Sequence, residues 1–146
     1  MATTGTVYNN YKLKLFNTST KIDLEADTIK LAAVTTSYTP DIDAHDFWDD
    51  IVANEASGTG YTAGGATLGT KTAAVVGASD LAKFDAADVS WTITSSFTYR
   101  YFVLYKSTGN NATSPVIGYF DTGASQTITN GTVTVTFHAD GVLTIA

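Results

Sequence analysis

The chain has 146 residues and a formal net charge of −6; 44% of its residues are hydrophobic and 15% are charged. This length and apolar content predict one folded domain with its own core and exclude a chain that is disordered by composition. The absence of cysteine excludes disulfides and thiolate metal sites.

The net charge and the hydropathy restrict the classes of partner that we expect for the chain. The 8 lysine and arginine residues are scattered along an acidic chain, whereas a nucleic-acid partner requires a concentrated basic patch. No apolar run approaches the roughly 20 residues that span a bilayer. The opening residues, MATTGTVYNN, also lack the charged and apolar regions of a signal peptide. We therefore expect neither nucleic acid nor a membrane as a partner.

The N-terminal part of the chain reads as an arm followed by strands. Residues 1–6 are small and polar, which predicts a flexible arm ahead of a single β domain over 7–146. Residues 7–16 alternate between apolar and polar side chains and predict a strand. Residues 28–36 predict a second strand that is apolar on both faces.

The segment 38–68 is the one stretch with a helical period. Ala44, Phe47, Trp48 and Ile51 share one stripe, which predicts a short helix near 43–53 with an aspartate as its N-cap. The simplest interpretation is that this helix caps a β-sandwich and buries Phe47 and Trp48. The alternative is that its acidic face forms a binding surface or a cation site.

A calcium loop is not supported by the spacing of the acidic residues that begins at Asp41. The glycine required at the sixth position is replaced by Asp46, and the glutamate required at the twelfth position is replaced by Val52. We therefore predict no metal and no cofactor.

The middle of the chain predicts further strands. Residues 71–76 and 81–84 read as two strands of a hairpin, and residues 89–93 alternate as a half-buried strand. The polar segment 107–114 predicts a flexible loop, and 115–121 a strand after it.

The stretch 97–106 is the densest in aromatic residues. Strict alternation would place Phe97, Tyr99, Tyr101, Val103 and Tyr105 on one face. The simplest interpretation is a central strand that is covered on both faces. Alternatively, these rings form an exposed face that stacks on sugars or on a neighbouring subunit.

The C-terminal segment contains two tight-turn dipeptides, Asn130-Gly131 and Asp140-Gly141. They bracket a strictly alternating run over 132–138, which predicts a three-stranded meander with 126–129 and 142–146. The expected fold is mainly β, an antiparallel β-sandwich or jelly roll with one short helix near 43–53.

Catalytic patterns are weak. Neither His45 nor His138 has a recognisable triad partner by spacing, and most of the acidic residues cluster in turns and on the predicted helix. The glycine-rich run SGTGYTAGG contains no lysine and matches no phosphate loop. We predict that the chain is not an enzyme.

Several stretches resemble one family. The run HDFWDDIVANEASGTGYTAGGATL, with YKLKLFNTSTKIDLEADTIKLAAVTTSYTPDIDA before it and FDAADVSWTI, VLYKSTGNNATSPVIGYFD and FHADGVLTIA after it, resembles small virion structural proteins encoded by tailed bacteriophages. The resemblance spans nearly the whole chain and implies a virion component made in the bacterial host cytoplasm. The resemblance assigns no catalytic role to any residue of this chain.

Within a virion, a compact acidic β domain rich in aromatic residues fits a capsid decoration (cement) protein on the outer head surface. The expected partners are the major capsid protein and copies of the chain itself, with a trimer as the favoured homo-oligomer. A tail, connector or fibre-associated protein is one alternative. A carbohydrate-binding module that uses exposed rings among Trp91, Tyr99, Tyr101 and Tyr105 is another.

The residues expected at the interface are aromatic side chains and amides. Besides the N-terminal arm and the loop 107–114 as a whole, they are Phe47, Trp48, Tyr99, Tyr101, Asn110 and Asn111.

Overall fold

The computed structural model describes residues 4–17 and 19–146, and these form a mainly β structure with one short α-helix, α1 (Asn9–Lys14). The strands are β1 (Thr4–Val7), β2 (Ile29–Val34), β3 (Ala66–Thr67), β4 (Thr72–Val76), β5 (Leu81–Asp85), β6 (Val89–Ile93), β7 (Phe97–Lys106), β8 (Val116–Ile128), β9 (Gly131–Val135) and β10 (Leu143–Ile145).

Three antiparallel sheets build the fold. The largest has five strands in the order β1-β8-β7-β2-β3; a second has the order β10-β5-β4, and β6 pairs with β9 in a third. Apolar side chains of the five-stranded sheet, such as Leu31 and Ile117, pack in one core cluster with Phe84 and Trp91 from the smaller sheets. This packing is consistent with a β-sandwich, so the predicted mainly β class is confirmed.

The five-stranded sheet is also covered on its other face. There Ala32 and Val34 of β2 and Val103 of β7 pack with Trp48 and Ile51 in a second core cluster. The prediction that β2 and the aromatic strand β7 are buried on both faces is therefore correct.

The predicted alternation along β7 is wrong in its first half. Phe97 and Tyr99 pack in the first core together with Phe102, whereas Tyr101 and Tyr105 pack in the second. The ladder with β8 shifts register between Tyr99 and Tyr101. An irregularity of this kind redirects the side chains that follow it, so a strict period of two does not hold across it.

The α-helix lies where a strand was predicted. Residues 7–16 alternate in hydropathy, yet the buried side chains in this region are Tyr8 and Tyr11, which are three positions apart as on a helix. The backbone N–H of Asn9 also donates to the carbonyl of Ile42 at 2.9 Å, which ties the start of α1 to the 41–46 segment.

The predicted helix near 43–53 is replaced by two successive 3-10 turns, Trp48–Asp50 and Val52–Asn54. Extended backbone at Phe47 forms an isolated β-bridge with Pro115, which takes this residue out of a helical path. The side chain of Asp50 accepts hydrogen bonds from the backbone N–H groups of Asp46 and Phe47 at 2.9 and 3.0 Å. These local and long-range bonds outweigh the helical period.

The C-terminal meander is also wrong. The turn at Asp140-Gly141 is present, where the N–H of Gly141 donates to the carbonyl of His138, but residues 129–130 form only a bend between β8 and β9. β9 pairs with β6 and β10 pairs with β5, so the strands do not pair with their neighbours in the chain. Burial explains the choice, because Val133 on β9 lies directly opposite Trp91 on β6 and both are buried in the first core.

The remaining predictions concern the arm, the hairpin and membrane spans. Residues 4–6 of the predicted flexible arm belong to β1, which pairs with β8, while residues 1–3 lie outside the described part. The hairpin of β4 and β5 is confirmed. Within residues 4–17 and 19–146, no helix has the length and apolar character needed to cross a membrane.

Candidate interaction surface

Trp48 is an internal residue, not a surface anchor. Its side chain is 1% exposed, and its backbone N–H donates to the carbonyl of Ser114 at 2.8 Å. The ring stacks on Tyr105. In the single chain, Trp48 therefore holds the 48–54 segment against the sheet and has little surface to offer a partner.

The two tyrosines expected at the interface have different environments. Tyr101 is buried in the second core, where its ring meets Tyr38 edge-on with centroids 5.6 Å apart. Tyr99 is partly exposed and lines a cavity of about 300 Å³ with Phe102 and Phe120. Only Tyr99 of this pair is accessible to a ligand.

Most of the residues proposed to stack on sugars are inaccessible. Trp91, Tyr101 and Tyr105 are all buried, and a ring needs an open face to stack on a sugar. Of the four proposed platform residues, only Tyr99 keeps part of its ring at the surface.

The loop 107–114 is held by its own side chains, which differs from the flexible loop that was expected. Asn110 caps a 3-10 turn by accepting from the N–H of Ala112 at 3.0 Å, and Ser114 donates to the carbonyl of Asn110 at 2.8 Å. Asn110 and Asn111 are both exposed. Their position at the surface is as expected, but Asn110 already uses its side-chain oxygen inside the loop.

A second cavity, of about 310 Å³, adjoins this loop and is lined by Trp48, Glu55, Gly64, Tyr105 and Asn111, among others. The carboxylate of Glu55 accepts hydrogen bonds from the hydroxyl of Tyr61 at 2.8 Å and from the N–H of Gly64 at 2.6 Å. Burial raises the pKa of Glu55 above its usual value. Both bonds hold the 55–64 loop in place, so we assign Glu55 a structural role. No sequence pattern predicts this role.

The acidic residues of the 41–50 segment act mainly as turn formers. Asp41 accepts from the N–H groups of Asp43 and Ala44, each at 3.0 Å, and these bonds lower the pKa of Asp41. Within the described ranges, no three carboxylate or imidazole groups are arranged to hold a metal ion.

His45 lies at the end of a hydrogen-bonded chain that includes the buried side chains of Tyr8 and Tyr38. The hydroxyl of Tyr38 lies 2.6 Å from that of Tyr8 and 2.9 Å from Nδ1 of His45. Burial is the main reason that the pKa values of both tyrosines are raised, so both hydroxyls remain protonated at neutral pH. This chain links β1, α1 and the 38–45 segment.

Three large exposed apolar side chains lie at the C-terminal end of α1. Phe16 is 88% exposed, Leu13 64% and Leu15 47%. We call Leu13, Leu15 and Phe16 the α1 surface. Contiguous exposed apolar patches mark interaction sites in many proteins, so we take the α1 surface as the candidate site.

Two aspartates contact polar side chains of α1. The amide of Asn9 donates to the carboxylate of Asp43 at 2.5 Å, and the ammonium of Lys14 pairs with Asp46. Lys14 also lies over the ring of Phe47, 5.4 Å from its centroid. Phe47, which was expected at an interface, is thus partly covered beneath Lys14 beside the α1 surface.

The helical spacing of Tyr8 and Tyr11 was the signal that could have revealed the exposure of Leu13. On a helix anchored by those two residues, Leu13 points away from the core. The period-two interpretation placed Leu13 and Leu15 inside with Tyr11, and therefore missed the site.

Comparison with known proteins adds no relative. No protein-family model matches the chain, and nothing among curated proteins or solved structures matches it.

Proposed function

We propose that this chain is a non-enzymatic structural protein of a tailed-bacteriophage virion, specifically a capsid decoration protein that binds the outer surface of the head. Two lines support the proposal. One is the resemblance carried by the sequence stretches quoted above. The other is the α1 surface, and its exposure is the observation that carries the argument.

The α1 surface has the composition of a docking site. Its centre is apolar, and Lys14, paired with Asp46, adds polar groups within the same helix. Protein interfaces combine an apolar centre with a polar rim, and the rim charges steer association more than they tighten it. A capsid site with an apolar pocket and a polar border would complement both parts.

The framework behind this surface is well packed. Tyr8 and Tyr11 are buried, and the backbone of α1 is tied to Ile42. Docking therefore orders few additional groups, which keeps the entropic cost of binding low. A protein attached in this way at repeated positions would clamp neighbouring capsid subunits together.

The first test is the copy number in gradient-banded virions of the phage that encodes the chain, measured by quantitative mass spectrometry against the major capsid protein. A ratio near one per capsid subunit, or a simple fraction of it, supports the decoration role. A ratio of a few per cent or less would assign the chain to the tail or connector. Absence from particles would overturn a virion role.

The second test uses capsids that lack the chain. Purified protein is added back, and binding is measured by co-sedimentation. Replacing Phe16→Ser is expected to weaken binding at least about tenfold, because a buried phenyl anchor contributes on the order of 2 kcal/mol. Ile145→Ser, at another exposed apolar position, serves as the matched control and should bind as the native protein does. Equal binding by both variants would overturn the assignment of the α1 surface.

A further inference from the structure

β4 is an edge strand with unusually high exposure. Its residues Thr72, Ala73, Ala74 and Val75 are all exposed, and Val75 is 81% exposed. One edge of β4 pairs with β5, and no described residue forms a ladder with the other edge. Its outer backbone groups are therefore open to another strand.

This edge lacks the features that protect sheet edges. Soluble proteins place charges, proline or bulges on such strands to prevent pairing with other chains. Residues 72–79 contain no charged side chain and no proline. The β4–β5 ladder is also regular over all five residue pairs, from Thr72–Asp85 to Val76–Leu81. The sequence Thr-Ala-Ala-Val-Val is therefore a ready template for one more strand.

We propose that β4 pairs with β4 of a second copy, antiparallel and across a two-fold axis at Ala74. In this register Ala74 lies opposite its own counterpart, Ala73 lies opposite Val75, and Thr72 lies opposite Val76. The two three-stranded sheets join into one six-stranded sheet. Two-fold contacts of this type use the same patch on both copies and close as a dimer, with β10 at each outer edge of the joined sheet.

Length and charge favour a second copy as the occupant. The strand matches itself over all five residues, whereas β10, the opposite edge of the same sheet, has only three. The nearest charges on either side of the strand have opposite signs, Lys71 before it and Asp80 after it. Antiparallel pairing brings the lysine end of each strand beside the aspartate end of the other, so no like charges face each other.

The inference does not rest on the proposed virion role, since the pairing requires only the chain itself. It also differs from the trimer expected from the sequence, because a two-fold contact produces a dimer. A measured mass in solution separates the two outcomes.

Sedimentation velocity over a concentration series tests the pairing. The native chain is expected to sediment at twice its monomer mass of 15.4 kDa. Val75→Lys should shift it to monomer at the same concentrations, because two lysines would then lie near the axis. The control Ile145→Lys places the same charge on the exposed β10 edge and should leave the dimer intact. Circular dichroism verifies that each variant is folded.

A cross-linking experiment tests the register independently of any effect on folding. Because the chain contains no cysteine, Ala74→Cys introduces a single thiol. Directly opposite residues have Cβ atoms about 4.5–5.5 Å apart, so mild oxidation or a short thiol cross-linker should join the two copies. Ala82→Cys, at an exposed alanine on the neighbouring β5, should not cross-link.

Three results would overturn the proposal. They are a monomer at every concentration, a trimer, and a dimer that survives Val75→Lys while Ala74→Cys stays uncross-linked. Loss of assembly in both lysine variants would instead indicate pairing of β4 with β10 of the next copy, and would equally reject the two-fold contact.

Discussion

The indole of Trp48 lies flat against the ring of Tyr105, with the centroids 4.6 Å apart and the planes 5° from parallel. This stack joins the 48–54 segment to the central strand of the largest sheet. It shows why the most conspicuous aromatic residue of the acidic segment is part of the core and not of a contact surface.

Replacing Trp48→Ala should therefore act on stability. Loss of a fully buried large aromatic side chain costs about 3–5 kcal/mol through lost burial and the cavity left behind. Trp48→Phe, which retains an aromatic ring, should cost less. The measurement is urea unfolding monitored by circular dichroism, and a cost below about 1 kcal/mol for Trp48→Ala would contradict the packing described here.

The hydroxyl pair of Tyr8 and Tyr38 predicts an asymmetric mutant cycle. Tyr38→Phe leaves the buried Tyr8 hydroxyl without its partner, which costs about 1–3 kcal/mol. Tyr8→Phe should cost less, because the Tyr38 hydroxyl keeps its bond to His45.

The double variant Tyr8→Phe/Tyr38→Phe completes this cycle. Its cost should be smaller than the sum of the single costs, since no buried hydroxyl then remains unpaired. Denaturant unfolding of all four proteins provides the comparison. Strictly additive costs would show that the two hydroxyls do not interact.

The pair of Arg100 and Asp121 predicts sensitivity to acid. Two parallel hydrogen bonds of 3.0 Å join the guanidinium to the carboxylate and lower the pKa of Asp121 below its usual 3.8. The stabilisation is therefore complete above pH 3.8 and is lost as the pH falls through the folded-state pKa.

Thermal unfolding at a series of acidic pH values tests this effect. The melting temperature of the native chain should fall more steeply below pH 3.8 than that of Asp121→Asn, which has no carboxylate to protonate at this position. Arg100→Gln removes the main cause of the shift and should flatten the profile in the same direction, although the N–H of Gly123 still donates to Asp121. Identical slopes in all three proteins would refute the contribution of the pair.

Gly65 and Gly109 offer a matched comparison, because both have positive φ, +74° and +86°. A Cβ at position 65 would lie 2.0 Å from the carbonyl oxygen of Leu31, whereas a Cβ at position 109 would have no neighbour within 4 Å. Gly109→Ala should therefore cost about 1 kcal/mol, from backbone strain alone.

Gly65→Ala should cost clearly more than Gly109→Ala, since the loop beside β3 must move away from β2. Hydrogen exchange at β2 and denaturant unfolding report both effects. Equal costs at the two positions would mean that the loop moves freely.

The mainly β class of this chain could be predicted from the sequence because the alternation of apolar and polar side chains is a local property. The hairpin of β4 and β5, the alternating strand β6 and the burial of β7 on both faces were all predicted from residues close together in the chain. The surface could not be predicted equally well. Phe16 is exposed because no distant segment within the part of the chain that the structure describes packs over it, and the packing of distant segments does not follow from the residues next to Phe16 in the sequence.

Local patterns failed wherever distant backbone groups competed with them. Apolar spacing predicts a helix at 43–53, but the bridge from Phe47 to Pro115 and the bond from Trp48 to Ser114 impose a different path. The turn at 140–141 reverses the chain without choosing the partner of the strand that follows, and the dipeptide at 130–131 lies at a bend that forms no hairpin.

The sequence by itself determined that the chain folds as antiparallel β structure, because hydropathy with a period of two is enough to place one face of a strand inside. The tertiary structure alone decided which strands pair, where the helix lies and which apolar side chains remain outside. Pairing and exposure are set by burial summed over all elements together, and that sum exists only once the whole chain has folded.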